Sequence, residues 1–212
     1  LNKDLAVMAF LRSTIGPDAV HIVHGHGVWL RAPTMGDYGP WAELRTLSRD
    51  HLTPWEPAWP RDELSRAAFR RRIRHYQREA REDLGYAFLL FAEGTGTLLG
   101  GLTLSNVRRG VTQSATLGYW LGRSHLKRGY MTEAVAAIIP FAFDDLHLHR
   151  IEAAAMPSNV SSIRVLERNG FRREGLARRY LKINGVWQDH VLHALVADDE
   201  RRDAWGKDNV GG

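Results

Sequence analysis

The chain has 212 residues, 44% of them hydrophobic, which suits one domain with a full core and argues against wholesale disorder. A formal net charge of +5 and a pI near 9.8 suit anionic partners, either nucleic acid or a phosphorylated cofactor. The absence of cysteine excludes disulfides, thiolate metal sites and a cysteine-bound covalent intermediate. No stretch approaches the ~20 apolar residues of a membrane-spanning helix, so the expectation is a soluble, cytoplasmic protein.

Residues 1–26 read as an N-terminal extension, partly flexible or foreign to the domain. Its end, "HIVHGHG", spaces His21, His24 and His26 as a metal site would, but itself holds no acidic residue or cysteine. An exposed segment without metal is expected. A single domain then spans 27–200, followed by a tail over 201–212. "VWLRAP" (28–33) reads as a first strand ended by proline, and "GDYGPWAELRTLSRD" as a short helix. "HLTPWEPAWP" (51–60) holds three prolines and two tryptophans and reads as an ordered loop. "RAAFRRRIRHYQREAR" (66–81) is a second helix, with Ala67, Phe69, Ile73 and Tyr76 packing inward. Its arginines suit either a solvated face or a contact for ribosomal RNA or an acidic protein.

"YAFLLFAE" and "LLGGLTL", joined by "GTGT", form a hairpin, and "TQSATLGYWLG" adds a third strand. Residues 130–144 have helical spacing, with Val135, Ile138, Ile139 and Phe143 on one broad apolar face. "RIEAAAM" is a strand, and "NVSSIRVLERNGF" a helix ended by Gly170. "RRYLKI" and "VWQDHVLHALVA" flank Asn184-Gly185, a type I′ hairpin signal. The order predicts an α/β (α+β) chain with a mostly antiparallel sheet, unlike a doubly wound fold.

Two features carry chemistry. "LKRGYMTEA" (126–134) runs a basic, glycine-containing turn into a helix. It is either an ordinary helix start or a cradle in which unpaired N–H groups and the helix dipole meet a pyrophosphate. Gly118 interrupts the preceding strand and marks a bulge or close approach, leaving peptide groups for an extended amide chain.

Together "LGYWLG", "KRGYMTEA", "LHRIEAAAMPSN", "SSIRVLERNGFRREG" and "YLKINGVWQDHVLHAL" resemble the GNAT superfamily of N-acetyltransferases. Within it they resemble the RimJ/RimL type, which acetylates the N-terminal amine of ribosomal proteins, and more nearly its RimJ branch. The resemblance covers roughly residues 28 to 197. It implies a mixed, mostly antiparallel sheet splayed at a central strand, with helices on both faces. It implies acetyl-CoA as co-substrate and no metal. The backbone of Lys127, Arg128, Gly129, Tyr130, Met131 and Thr132 would hold the pyrophosphate. The backbone at Tyr119 and Leu121 would pair with pantetheine, Asn159 would contact the pantetheine arm, and Ser162 would sit near the sulfur. This chain has Leu126 where the family usually has Gln or Arg, and Met131 where it commonly has Gly or Ala. The strand "QSATLGYW" also lacks the glutamate base of many relatives.

With no cysteine and no nucleophile elbow, direct attack in a ternary complex is expected. Ser162 is the candidate acid and Tyr180 its alternative; Glu152 and Asp189 are candidate bases, directly or through water. Trp55, Glu56 and Trp59 are candidates for the acceptor wall. Neutralising an α-amine costs ~3 kcal/mol less than neutralising a lysine, which favours a protein N-terminus where no strong base is evident. A polyamine or aminoglycoside acetyltransferase, and a ribosome- or RNA-binding module with little catalysis, are the alternatives. Either a monomer or a dimer is compatible with the sequence.

Overall fold

The computed structural model describes residues 21–199. Most of the expected extension, residues 1–20, and the tail over 201–212 lie outside them. Eight strands form one sheet: β1 (Ile22–Gly25), β2 (Val28–Arg31), β3 (Tyr86–Ala92), β4 (Leu98–Arg108), β5 (Ser114–Leu121), β6 (Arg150–Ala155), β7 (Arg172–Ile183) and β8 (Val186–Val196). Their spatial order is β1-β2-β3-β4-β5-β6-β8-β7, antiparallel throughout except for the parallel pair β5–β6. Five helices are interspersed: α1 (Tyr38–Leu47), α2 (Arg49–Leu52), α3 (Arg66–Arg81), α4 (Tyr130–Pro140) and α5 (Val160–Arg168).

The sheet is covered on both faces, as β3 shows. Its Phe88 and Leu90 join Leu104, Val135, Ile138, Phe141 and Ile151 in the larger core, under α4 and α5. The alternate residues Leu89 and Phe91 join Trp41, Leu44, Phe69 and Ile73 in a smaller core, under α1 and α3. A strand buried on both faces reads as a continuous apolar run, hence "YAFLLFA". The Ser65 hydroxyl starts α3 by accepting from the Ala68 N–H at 3.1 Å. Proline at the end of α4 removes a helical donor, and the chain continues through a π turn over Phe141–Asp145.

One expectation needs correction. The segment read as exposed is partly an edge strand, because Gly27 at φ +70° turns β1 back onto β2. His21 packs edge-on against Tyr86 and Phe141, at ring distances of 6.1 and 5.1 Å. A four-residue strand flanked by histidines shows no alternation long enough to recognise. The loop at 51–60 is also more regular than expected: α2 ends at Leu52 and a 3₁₀ turn follows over Thr53–Trp55. The Asn184-Gly185 turn has positive φ at both residues, 43° and 83°, as a type I′ hairpin requires.

Candidate active site

The parallel pair is where the sheet opens. β5 and β6 pair only over Ser114–Thr116 and Arg150–Glu152. Beyond that point β5 stays on β4 as far as Leu121, and β6 stays on β8 as far as Ala155. Each strand follows its outer neighbour, so the two separate into a V. A cleft of about 630 Å³ fills the opening, lined by Leu117–Leu121, Ala153–Met156 and the starts of α4 and α5. The edge of β5 facing it has no strand partner after Thr116.

The first turn of α4 points into this cleft. Lys127 at φ +61° and Gly129 at φ +82° turn the chain into the helix. The first intrahelical bond runs from the Glu133 N–H to the Gly129 carbonyl at 3.1 Å. The N–H groups of Tyr130, Met131 and Thr132 therefore have no intrahelical acceptor. A Cβ built on Gly129 meets nothing within 4 Å. Lys127, Arg164 and Arg168 line the same cleft. Free donors, a positive helix end and basic side chains together fit a diphosphate, and the unpaired edge of β5 fits an amide chain leading away from it.

Across the cleft, Asn159 caps α5 by accepting the Ser162 N–H at 3.1 Å. Among the described residues its amide nitrogen has no hydrogen-bond partner. The Ser162 hydroxyl lies 2.8 Å from the Tyr119 hydroxyl, and the Tyr119 hydroxyl is 3.2 Å from the Ser162 carbonyl. Burial pushes the Tyr119 phenol up to about 12, so it keeps its proton at neutral pH. When Tyr119 donates to Ser162 Oγ, the serine hydrogen is left for the cleft. His51 lines the cleft as well. Burial and the Arg123 guanidinium hold its pKa below the ordinary imidazole value, against the opposing pull of Glu56, so it is mostly neutral at pH 7.

A second cavity of about 600 Å³ lies beneath α1 and α3. It shares Glu56, Gly118, Tyr119 and Trp120 with the first, so the two meet across β5. Arg45, 3% exposed, is its main charged wall. Its guanidinium binds both Glu56 oxygens, at 3.1 and 2.7 Å, and lies 4.5 Å from the Trp59 ring and 5.0 Å from the Trp120 ring. The Trp59 N–H also donates to Glu56 at 2.7 Å. Glu63 is bound by Arg72 at 2.5 Å. Trp120 crosses the glycine pair of β4, where a Cβ on Gly101 would stand 2.7 Å from the indole nitrogen.

Residues 28–172 match the family described as acetyltransferase (GNAT) domain. The Bacillus subtilis protein named "Probable N-acetyltransferase YjcK" is 39% identical over 181 residues, 85% of this chain and 100% of that one. The chain belongs to the GNAT family. It is accordingly an acetyl-CoA-dependent N-acetyltransferase. The Escherichia coli [ribosomal protein uS5]-alanine N-acetyltransferase is 34% identical over 89% of this chain and 92% of its own length. The solved structure of Mycobacterium smegmatis RimJ in complex with CoA-disulfide superposes with a TM-score of 0.79 at 35% identity, covering 86% of this chain and 88% of that one.

Within this GNAT fold, Tyr119, Leu121, Lys127, Gly129, Tyr130, Met131, Thr132, Asn159 and Ser162 all line the cleft, with Trp55 and Glu56 at its far wall. Arg128 is outside the lining, and Trp59 lines the second cavity instead. Three catalytic candidates are outside both linings. The Glu152 carboxylate is held by Arg150 at 2.8 Å, and Arg150 also pairs with Glu174. Asp189 accepts the Arg179 N–H at 2.8 Å. Tyr180 is half exposed and packs edge-on against His190, 5.9 Å away. The Tyr119 side chain, His51 and Arg45 went unread: a tyrosine in a strand, a lone histidine and a lone arginine carry no spacing signal.

Proposed function

We propose that the chain transfers the acetyl group of acetyl-CoA to the N-terminal α-amine of a protein, and that a ribosomal protein is the acceptor class. The observation that carries this reading is the meeting of the two cavities at Glu56, Gly118, Tyr119 and Trp120. One cavity has a diphosphate-type cradle, and the other gives an acceptor its own approach from the opposite face of β5. Acetyl-CoA supplies the activated acyl group as a thioester.

The residues then divide the work. The free N–H groups of α4, with Lys127, hold the phosphates, and the unpaired edge of β5 aligns the arm. His51, mostly neutral and in the cleft, takes the proton that the amine releases. Ser162 donates its hydroxyl hydrogen to the departing sulfur, while Tyr119 holds that hydroxyl in the donating orientation. An α-amine with a pKa of ~8 needs little help to become neutral, which suits a single imidazole as base.

Two observations favour a peptide over a polycation. The carboxylates that line the second cavity, Glu56 and Glu63, are both already bound by arginine. A polyamine site would need them free. Similar proteins named as ribosomal-protein alanine and serine acetyltransferases point the same way. The test is acetyl-CoA turnover with alanine-initiated peptides, N-terminally blocked lysine peptides, spermidine and an aminoglycoside, with products located by mass spectrometry. Acetylation of the alanine α-amine is expected to lead; preference for spermidine or the aminoglycoside would overturn the acceptor assignment.

A further inference from the structure

We propose that the outward face of α3 is a docking surface for the phosphate backbone of an RNA. At about 100° per residue, Arg66, Arg70, Arg71, Arg74, Arg78 and Arg81 fall within an arc of about 140°. All six are exposed, while Phe69 and Ile73 on the opposite side are buried. Four of them, at 66, 70, 74 and 78, recur every four residues, about 6 Å apart along a helix of about 24 Å.

The arginines are mostly uncommitted. Arg71 is bound to Asp62 at 2.5 Å, and Arg72, turned inward, to Glu63. Among the described residues, Arg66, Arg70, Arg74, Arg78 and Arg81 have no carboxylate within ion-pair distance. Arg66 lies over the Tyr38 ring at 5.4 Å, and Arg78 bonds to His75 at 3.2 Å; neither contact neutralises charge. Five unpaired guanidinium groups on one face repel one another, and a polyanion relieves that cost.

The composition of the face selects the partner. Between the arginines stand only Ala67 and Gln77, with no aromatic or large aliphatic anchor. A protein partner would need an apolar centre to bury, whereas phosphate contacts need only cations with good hydrogen-bond geometry. Arginine supplies both the charge and a two-pronged donor.

The location gives the surface a use. Phe69, Arg72 and Tyr76, on the inner side of the same helix, wall the second cavity. An RNA along the outer face would lie beside the acceptor entrance and bring a nucleoprotein's exposed N-terminus to it. That use, and the choice of RNA as the polyanion, rest on the ribosomal-acceptor reading above.

The test is anisotropy of a labelled RNA duplex of about 20 base pairs with the full chain, from about 50 to about 300 mM KCl. Arg70→Gln/Arg74→Gln/Arg78→Gln is compared with Arg173→Gln/Arg178→Gln/Arg179→Gln, which removes equal charge from exposed positions on β7. Losing three phosphate contacts should lower the slope of log affinity against log salt by about 2.7 and weaken binding at least about tenfold. The β7 variant should stay close to wild type. Acetylation of a free alanine-initiated tripeptide should be unchanged in both, so a defect in transfer is read separately from a defect in docking. The proposal is overturned by an absence of RNA binding at about 50 mM salt, by equal losses in the two variants, or by tighter binding of poly-glutamate than of RNA at equal charge.

Discussion

Gly129 is where the cradle can be tested with a single atom's difference. Aspartate and asparagine have nearly the same size, and both would have to adopt φ +82°. That conformation costs about 1 kcal/mol for a non-glycine residue, in free and bound protein alike, so it lowers stability without changing affinity. A side chain there meets no protein atom within 4 Å, so neither substitution clashes with the fold. What differs is charge. At about 6 Å and an effective dielectric of about 20, one charge on a phosphate repels aspartate by about 3 kcal/mol, reduced to about 2 by salt. Gly129→Asp should therefore bind CoA about 30-fold more weakly than Gly129→Asn, which should lie within a few-fold of wild type. Both should lose about 1 kcal/mol in urea unfolding. Calorimetric titration with CoA reads the difference; equal affinities for the two variants would show that no phosphate rests on this turn.

Ser162→Ala should lower kcat about 100-fold with little change in CoA affinity, and Tyr119→Phe about tenfold; the double variant should be no worse than Ser162→Ala if the two hydroxyls act as one unit. Additive losses in a kinetic cycle would separate them. Because the α-amine titrates near ~8, kcat/KM should fall as pH drops through 7, and because the His51 pKa lies below the ordinary imidazole value, a second, steeper acidic limb should set in only below about 6.5. His51→Gln should remove this acidic limb together with most of the rate, and an unaltered pH profile would take His51 out of the reaction. Arg45→Met leaves Glu56 with only the Trp59 N–H and should cost about 3 kcal/mol in denaturant unfolding. A loss under about 1 kcal/mol would mean that the Arg45–Glu56 ion pair is not structural.

What the sequence made legible was largely backbone chemistry. The turn into α4 could be read because a glycine, basic neighbours and a helix start adjoin along the chain, and their N–H groups act together without distant help. The Asn159 cap is equally local, since its donor, the Ser162 N–H, lies three residues away. The fold class followed from the run of hairpins and the order of strands and helices. Side-chain partnerships across the sheet were not legible. The Tyr119–Ser162 contact joins residues 43 apart, and only the divergence of β5 from β6 brings them together. Glu56 reads in the sequence only as part of an acceptor wall, whereas Arg45, on α1, binds both of its oxygens. The loop carrying Glu56 is also tied down from afar, since the Asn184 N–H donates to the Glu56 carbonyl at 2.9 Å. No pattern in residues 51–60 could announce that the distant hairpin turn reaches them.

If a CoA cleft and a peptide cavity meet at Tyr119 and Trp120, an α-amine is the group acetylated. The most direct measurement is mass-spectrometric mapping of the product formed from acetyl-CoA and a peptide carrying both a free N-terminal alanine and an internal lysine. One acetyl group, on the alanine nitrogen, is expected; acetylation of the lysine with the alanine left free would contradict that acceptor.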